Sequence, residues 1–175
     1  MWFTWANLLT VLRLASAGPC AYAVVVGDWP WAAALFTVAV VTDLLDGPVA
    51  RHYNHASNLG SLLDHATDAL FVVVALGALA HLAYLPWLLP CLVTVAFMQY
   101  TVDSKALAGS KLRTSWLGRC NGVAYFVVVG IPIIRNALEL AWPDDVWIER
   151  LAWLLITTTV VSMFDRARAW FIAAK

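Results

Sequence analysis

Charge is what this sequence has least of. Asp, Glu, Lys and Arg make up 13% of its 175 residues, where a water-soluble domain carries about a quarter. That shortage excludes an ordinary soluble globule. Eleven basic residues balance eleven acidic ones, so no surplus of either sign marks a partner, and no nucleic-acid partner is expected. Cysteine is rarer still. Cys20, Cys91 and Cys120 stand far apart with no Cys-x-x-Cys pair, so neither a disulfide framework nor a zinc site has support, and the three read as small apolar residues. Met1 to Ala6 lacks a basic start and the first apolar run lacks a small-residue cleavage site, so no cleavable leader is expected. No internal repeat and no low-complexity segment is present.

What the chain has instead is apolar surface. Hydrophobic residues make up 62% of it and the mean hydropathy is +0.76. Of ten Trp, all but Trp153 lie near the ends of the apolar runs, as aromatic residues do at a membrane–water interface. A membrane helix needs about 20 apolar residues. The runs predict an all-α polytopic membrane protein with six transmembrane helices, over 6–26, 31–51, 58–82, 85–105, 117–137 and 147–171, separated by turn-forming stretches such as GDWPW and ELAWPDD. Six helices in this length leave room for one domain, residues 1–175.

Basic residues orient the bundle. Arg51 follows the second span, Lys105, Lys111, Arg113 and Arg119 follow the fourth, and Arg166, Arg168 and Lys175 close the chain; only Arg135 and Arg150 fall on the other side. Both termini and the loops after spans two and four are therefore expected in the cytoplasm.

One stretch breaks the apolar pattern. TDLLDGPVARHYNHASNLGSLLDHATDAL, Thr42 to Leu70, places Asp43, Asp46, Asp64 and Asp68 at the cytoplasmic ends of two helices. Charge inside a bilayer is costly and must face a protein interior or a watery cavity. Asp43 and Asp46 are three apart, Asp64 and Asp68 four apart, so each pair shares one helix face. A short turn joins the helices, which makes them antiparallel. Register then sets Asp43 opposite Asp68 and Asp46 opposite Asp64, one turn apart. Four ionised carboxylates so placed repel one another. Either some are protonated or a multivalent cation lies among them. Oxygen-only donors favour Mg²⁺, Mn²⁺ or Ca²⁺, and two divalent ions would balance four acids in a clamp suited to phosphoryl transfer. Gly47, Ala50 and Gly60 leave room for a bulky ligand near the backbone, and Arg51 offers a fork for a phosphate.

Written as Asp43-x2-Asp46-Gly47-x2-Ala50-Arg51-x8-Gly60-x3-Asp64-x3-Asp68, with eight fixed residues over 26 positions, the stretch resembles the signature of the CDP-alcohol phosphotransferase family. NLLTVLR, Asn7 to Arg13, resembles the first-helix segment of those enzymes, and the six-span plan is also theirs. The resemblance implies transfer of a substituted phosphate from a CDP-linked donor to an alcohol with release of CMP. It implies two metal ions, Mg²⁺ or Mn²⁺, on Asp43, Asp46 and Asp64, with Asp68 as general base and further metal contact. It also implies a nucleotide site lined by Gly47, Ala50, Arg51 and Gly60, joined by Asn7 and Thr10, and a homodimer in the inner membrane with its active site toward the cytoplasm. A six-span enzyme suits a CDP-diacylglycerol donor. The basic cluster Lys105, Lys111, Arg113 and Arg119 suits an anionic acceptor. Glycerol 3-phosphate is the first expectation, with serine, inositol phosphate or phosphatidylglycerol as alternatives within the same chemistry.

Several residues have two readings. Arg13 either reaches the nucleotide with Asn7 and Thr10 or snorkels from the end of the first helix. His65 is expected on a different face from Asp64, in a structural role. Arg166 and Arg168 read as an anchoring tail that can also reach an acceptor phosphate. From a different class, acid layers inside a bundle also suit a divalent-cation channel.

Overall fold

The computed structural model describes the backbone of residues 5–52, 58–103 and 116–173, and side chains over 8–45, 62–102 and 116–168. The described residues form six helices: α1 (Trp5–Val26), α2 (Trp29–His52), α3 (Asn58–His81), α4 (Leu88–Asp103), α5 (Trp116–Ala137) and α6 (Asp145–Ala173). No strand occurs among the described residues. Four stretches are long and apolar enough by themselves to cross a membrane: Leu8–Val26, Leu62–His81, Trp116–Ala137 and Asp145–Arg168. The apolar parts of the other two helices, Trp29–Leu45 and Leu88–Val102, are shorter. The described residues are thus all-helical, and the chain is a multi-pass membrane protein. Leu, Val, Phe and Trp side chains stand exposed on every helix, among them Leu44, Val102, Trp116 and Phe164, a surface that lipid tolerates and water does not.

The three connections at one end of the bundle are built alike. After α1, Gly27 adopts a left-handed φ of 76°; its N–H donates to Val24 O at 3.1 Å and Asp28 N–H donates to Ala23 O at 2.9 Å. This Schellman pattern satisfies carbonyls that the helix end would otherwise orphan. The pattern recurs after α3 with Ala83 and after α5 with Glu139, both at positive φ, through Tyr84 N–H to Leu79 O at 3.0 Å and Leu140 N–H to Arg135 O at 2.9 Å. Two of the following helices, α2 and α6, are capped by acids. Asp28 Oδ1 accepts from Trp31 N–H at 3.2 Å, and Asp144 Oδ1 accepts from Trp147 N–H at 2.9 Å. Three tight hairpins result, and their open ends lie together at the opposite end, where the aspartates are.

Small residues let the helices close. Ala17, Cys20 and Val24 of α1 are buried with Ala32, Phe36 and Ala39 of α2, at the helical spacing that packs membrane helices on small side chains. Across the centre, Phe71 of α3 lies between Phe36 of α2 and Phe126 of α5, with ring centroids 6.4 and 6.1 Å away. α5 approaches α2 at Gly130, where a Cβ would stand 2.7 Å from Phe36 Cζ. This aromatic row fixes α2, α3 and α5 relative to one another.

Candidate active site

α1 packs against both α2 and α3, and Arg13 is what it contributes. Its side chain is 0% exposed, and its Nη2 lies 3.7 Å from Asp43 Oδ1. Nη1 donates to Asp64 Oδ1 at 2.9 Å and also to Asp68. Helix periodicity explains how three acids on two helices reach one cation. Asp64 and Asp68 are one turn apart on α3, and Asp43 faces them from α2. The acids themselves are partly open, with side chains 38%, 26% and 23% exposed for Asp43, Asp64 and Asp68. One buried guanidinium against three carboxylates leaves a charge of about −2 when all are ionised, and the free faces of the acids offer hard oxygen donors. This donor set fits a divalent ion.

His65 departs from its expected placing on another face. Its Nδ1 lies 3.9 Å from Asp64 Oδ2, and Asp64, His65 and Asp68 each offer a ligand atom within 4.8 Å of the others, a group that could hold a metal ion. The imidazole stacks on Tyr100 at 6.1 Å and 14°. Tyr100 in turn carries the Arg166 guanidinium over its ring at 4.7 Å. Arg166, which the sequence presents as part of an anchoring tail that can also reach an acceptor phosphate, belongs to the wall of this site.

A cavity of 330 Å³ opens beside the acids. Asp43, His65 and Asp68 line its top, and Arg119 and Arg166 supply cations. Its remaining wall is largely apolar, from Val72, Val93, Phe97 and Phe126. A second, almost wholly apolar groove of 540 Å³ runs between α2 and α5 from Asp43 to Arg135 and Trp142.

Of the residues singled out from sequence, the structure brings together Asp43, Asp64 and Asp68. Thr10 sits half-buried on α1, one turn before Arg13, and Arg119 is exposed at the cavity. Asp46, Gly47, Ala50, Arg51 and Gly60 lie on α2 and α3, and Asn7 on α1, but their side chains fall outside the described residues, and Lys105, Lys111 and Arg113 fall outside them altogether. The snorkelling reading of Arg13 is corrected: the side chain turns inward, because three acids on neighbouring helices hold it there. A lone arginine in an apolar helix, in a chain with four intramembrane acids, is the signal in the sequence that points to this pairing.

Comparison with known proteins adds relatives to this geometry. The family model described as CDP-alcohol phosphatidyltransferase matches residues 3–172. A CDP-diacylglycerol--glycerol-3-phosphate 3-phosphatidyltransferase of Cereibacter sphaeroides is 32% identical over 142 residues, 76% of this chain and 64% of that protein. The Escherichia coli K12 protein of the same name is 30% identical over 127 residues, 69% of this chain and 65% of that protein. A probable phosphatidylglycerophosphate synthase of Mycobacterium tuberculosis H37Rv is 29% identical over 136 residues, 74% of this chain and 65% of that protein. The chain thus spans just under two thirds of the length of these relatives.

Proposed function

The chain belongs to the CDP-alcohol phosphatidyltransferase family, and from that premise we propose that it transfers a phosphatidyl group from CDP-diacylglycerol to glycerol 3-phosphate and releases CMP. The observation that carries the reading is the meeting of Asp43, Asp64 and Asp68 around Arg13 at the mouth of a headgroup-sized cavity. The relatives' names supply the donor and the acceptor.

In this reading Asp43, Asp46, Asp64 and Asp68 hold two divalent ions, Mg²⁺ or Mn²⁺. With those ions bound, the donor's diphosphate charge is neutralised and CMP becomes a good leaving group. Asp68 accepts the proton of the attacking hydroxyl. The acceptor oxygen forms a bond to the phosphatidyl phosphorus. The bond from that phosphorus to the oxygen bridging to CMP breaks, and CMP departs with the electron pair. Arg13 holds the acids in place and limits their mutual repulsion. Asn7, Thr10, Gly47, Ala50, Arg51 and Gly60 accommodate the CDP part. Arg119 and Arg166, with Lys105, Lys111 and Arg113, attract the acceptor's phosphate. The donor's acyl chains remain in lipid. The protein is a single six-span domain acting as a homodimer in the inner membrane, with both termini and the site on the cytoplasmic side, as the basic residues direct.

The test is CMP release from CDP-diacylglycerol vesicles with glycerol 3-phosphate and Mg²⁺ or Mn²⁺, with the lipid product resolved. Phosphatidylglycerophosphate is the expected product. A different phosphatidyl lipid from a panel of serine, inositol phosphate and phosphatidylglycerol would replace the acceptor and leave the chemistry. Cation flux without CMP release would favour the channel reading.

A further inference from the structure

Buried polar side chains among the described residues are mostly satisfied within their own helices. Ser16, Thr42, Thr67 and Thr159 each donate to a backbone carbonyl three or four positions earlier, and Arg13 is paired with the aspartates. Single buried atoms such as Gln99 Oε1 and Tyr100 OH, on half-buried residues, also lack a partner; among the fully buried polar residues Asn121 of α5 and Ser162 of α6 are the exceptions. They are 5% and 6% exposed, and neither side chain has a hydrogen-bond partner among the described residues. Both line the cavity onto which Asp43 and Asp68 open.

Their register explains why they are left open. α5 and α6 form an antiparallel hairpin. Thr159 Oγ1 gives its only proton to Leu155 O at 2.7 Å, so in the 2.8 Å contact between Tyr125 and Thr159 the tyrosine is the donor. One turn back from Tyr125 on α5 is Asn121, and nearly one turn on from Thr159 on α6 is Ser162, so these two form the next layer toward the aspartates. The deeper layer is closed by its own hydrogen bond; the shallower layer is not. A carboxamide and a hydroxyl inside a membrane-spanning bundle cost stability unless something pairs with them. In a cavity whose other walls are largely apolar, a few such groups decide orientation and specificity.

We infer that Asn121 and Ser162 bind a second hydroxyl of the acceptor, the neighbour of the one that reacts at Asp68. A hydroxyl both donates and accepts, and so it can pair with the amide and the serine at once. The acceptor class is then a small polyol phosphate with adjacent hydroxyls, in keeping with the cavity's 330 Å³. The inference rests on the proposed transferase reading and adds the residues that select its acceptor.

The experiment compares glycerol 3-phosphate with 3-hydroxypropyl phosphate, which lacks only the second hydroxyl, in CMP release by the full chain with CDP-diacylglycerol. The wild type favours glycerol 3-phosphate by roughly 10- to 100-fold in kcat/KM. Asn121→Leu and Ser162→Ala each reduce that preference about tenfold, chiefly through the acceptor's KM, while the donor's KM moves less. A wild type indifferent to the second hydroxyl, or a preference unchanged in both variants, overturns the inference and leaves the transferase reading standing. If Asn121→Leu loses its thermal transition, Ser162→Ala, which removes a single oxygen, decides. A wild type that releases no CMP with either acceptor overturns the acceptor reading and this inference with it.

Discussion

Arg13 Nη1 stands 2.9 Å from Asp64 Oδ1, across 51 positions of sequence. That bond ties the first helix to the third at the depth where the acids gather, and the same guanidinium also meets Asp43 and Asp68. Removing it strands three carboxylates in a poorly solvated place. Arg13→Met keeps the bulk and deletes the charge. It is expected to lower stability by about 3 kcal/mol in metal-free detergent, near the low end for a broken buried pair because the acids are partly exposed. Saturating Mn²⁺ is expected to recover part of that loss by restoring positive charge. Thermal unfolding with and without Mn²⁺ reads both effects, and an unchanged transition would remove Arg13 from this role.

Asp68 is the acid proposed to take the acceptor's proton. Asp68→Asn changes little in shape but cannot accept that proton, so CMP release is expected to drop by about 10²- to 10⁴-fold. Binding of CDP-diacylglycerol, measured separately, is expected to change much less. Turnover close to wild type would assign the base elsewhere.

The metal reading is open to a direct check. Chelation is expected to stop CMP release, and added Mg²⁺ or Mn²⁺ to restore it. Asp64→Asn is expected to raise the Mn²⁺ concentration needed for half-maximal activity by roughly tenfold or more, and Asp46→Asn to weaken metal and donor binding together. Equilibrium Mn²⁺ binding in each variant reads the same effect without turnover. A metal dependence identical to the wild type in both variants would refute the ligand assignment.

Gly130 tests the packing that carries the site. An added Cβ would meet Phe36 at 2.7 and 2.8 Å, and Phe36 is held in the row with Phe71 and Phe126. Gly130→Ala is expected to cost about 1–3 kcal/mol through overpacking. Phe36→Leu in the same chain is expected to recover part of it. A thermal transition unmoved by Gly130→Ala would mean that α2 and α5 slide apart at little cost.

Much of the architecture is legible in the sequence. The first span, expected at 6–26, is the helix Trp5–Val26, and the third, expected at 58–82, is Asn58–His81. Long apolar runs bounded by turn residues leave few alternatives. The fourth helix begins later than expected, at Leu88, because the chain turns through Ala83 and Tyr84 before Pro86 lets it resume. The pairing of Asp64 with Asp68 is legible because four-residue spacing on a helix fixes a shared face. Arg13 and His65 are not, because the groups that hold them lie partly on other helices, and the periodicity of one helix says nothing about its neighbours.

The amino-acid order alone settled where helices form, that they belong in lipid, and that Asp64 and Asp68 share one helix face, since periodicity and the length of an apolar run are properties of a single stretch of chain. Which cation neutralises those acids, and which polar groups on α5 and α6 are left facing the cavity, depended on which helices lie side by side. Arg13 reaches Asp64 and Asp68 because α1 packs on α3, and Tyr125 closes on Thr159 while Asn121 and Ser162 stay open because of the register between α5 and α6. Contacts between distant segments are set by how whole faces pack together, and no local pattern encodes that choice by itself.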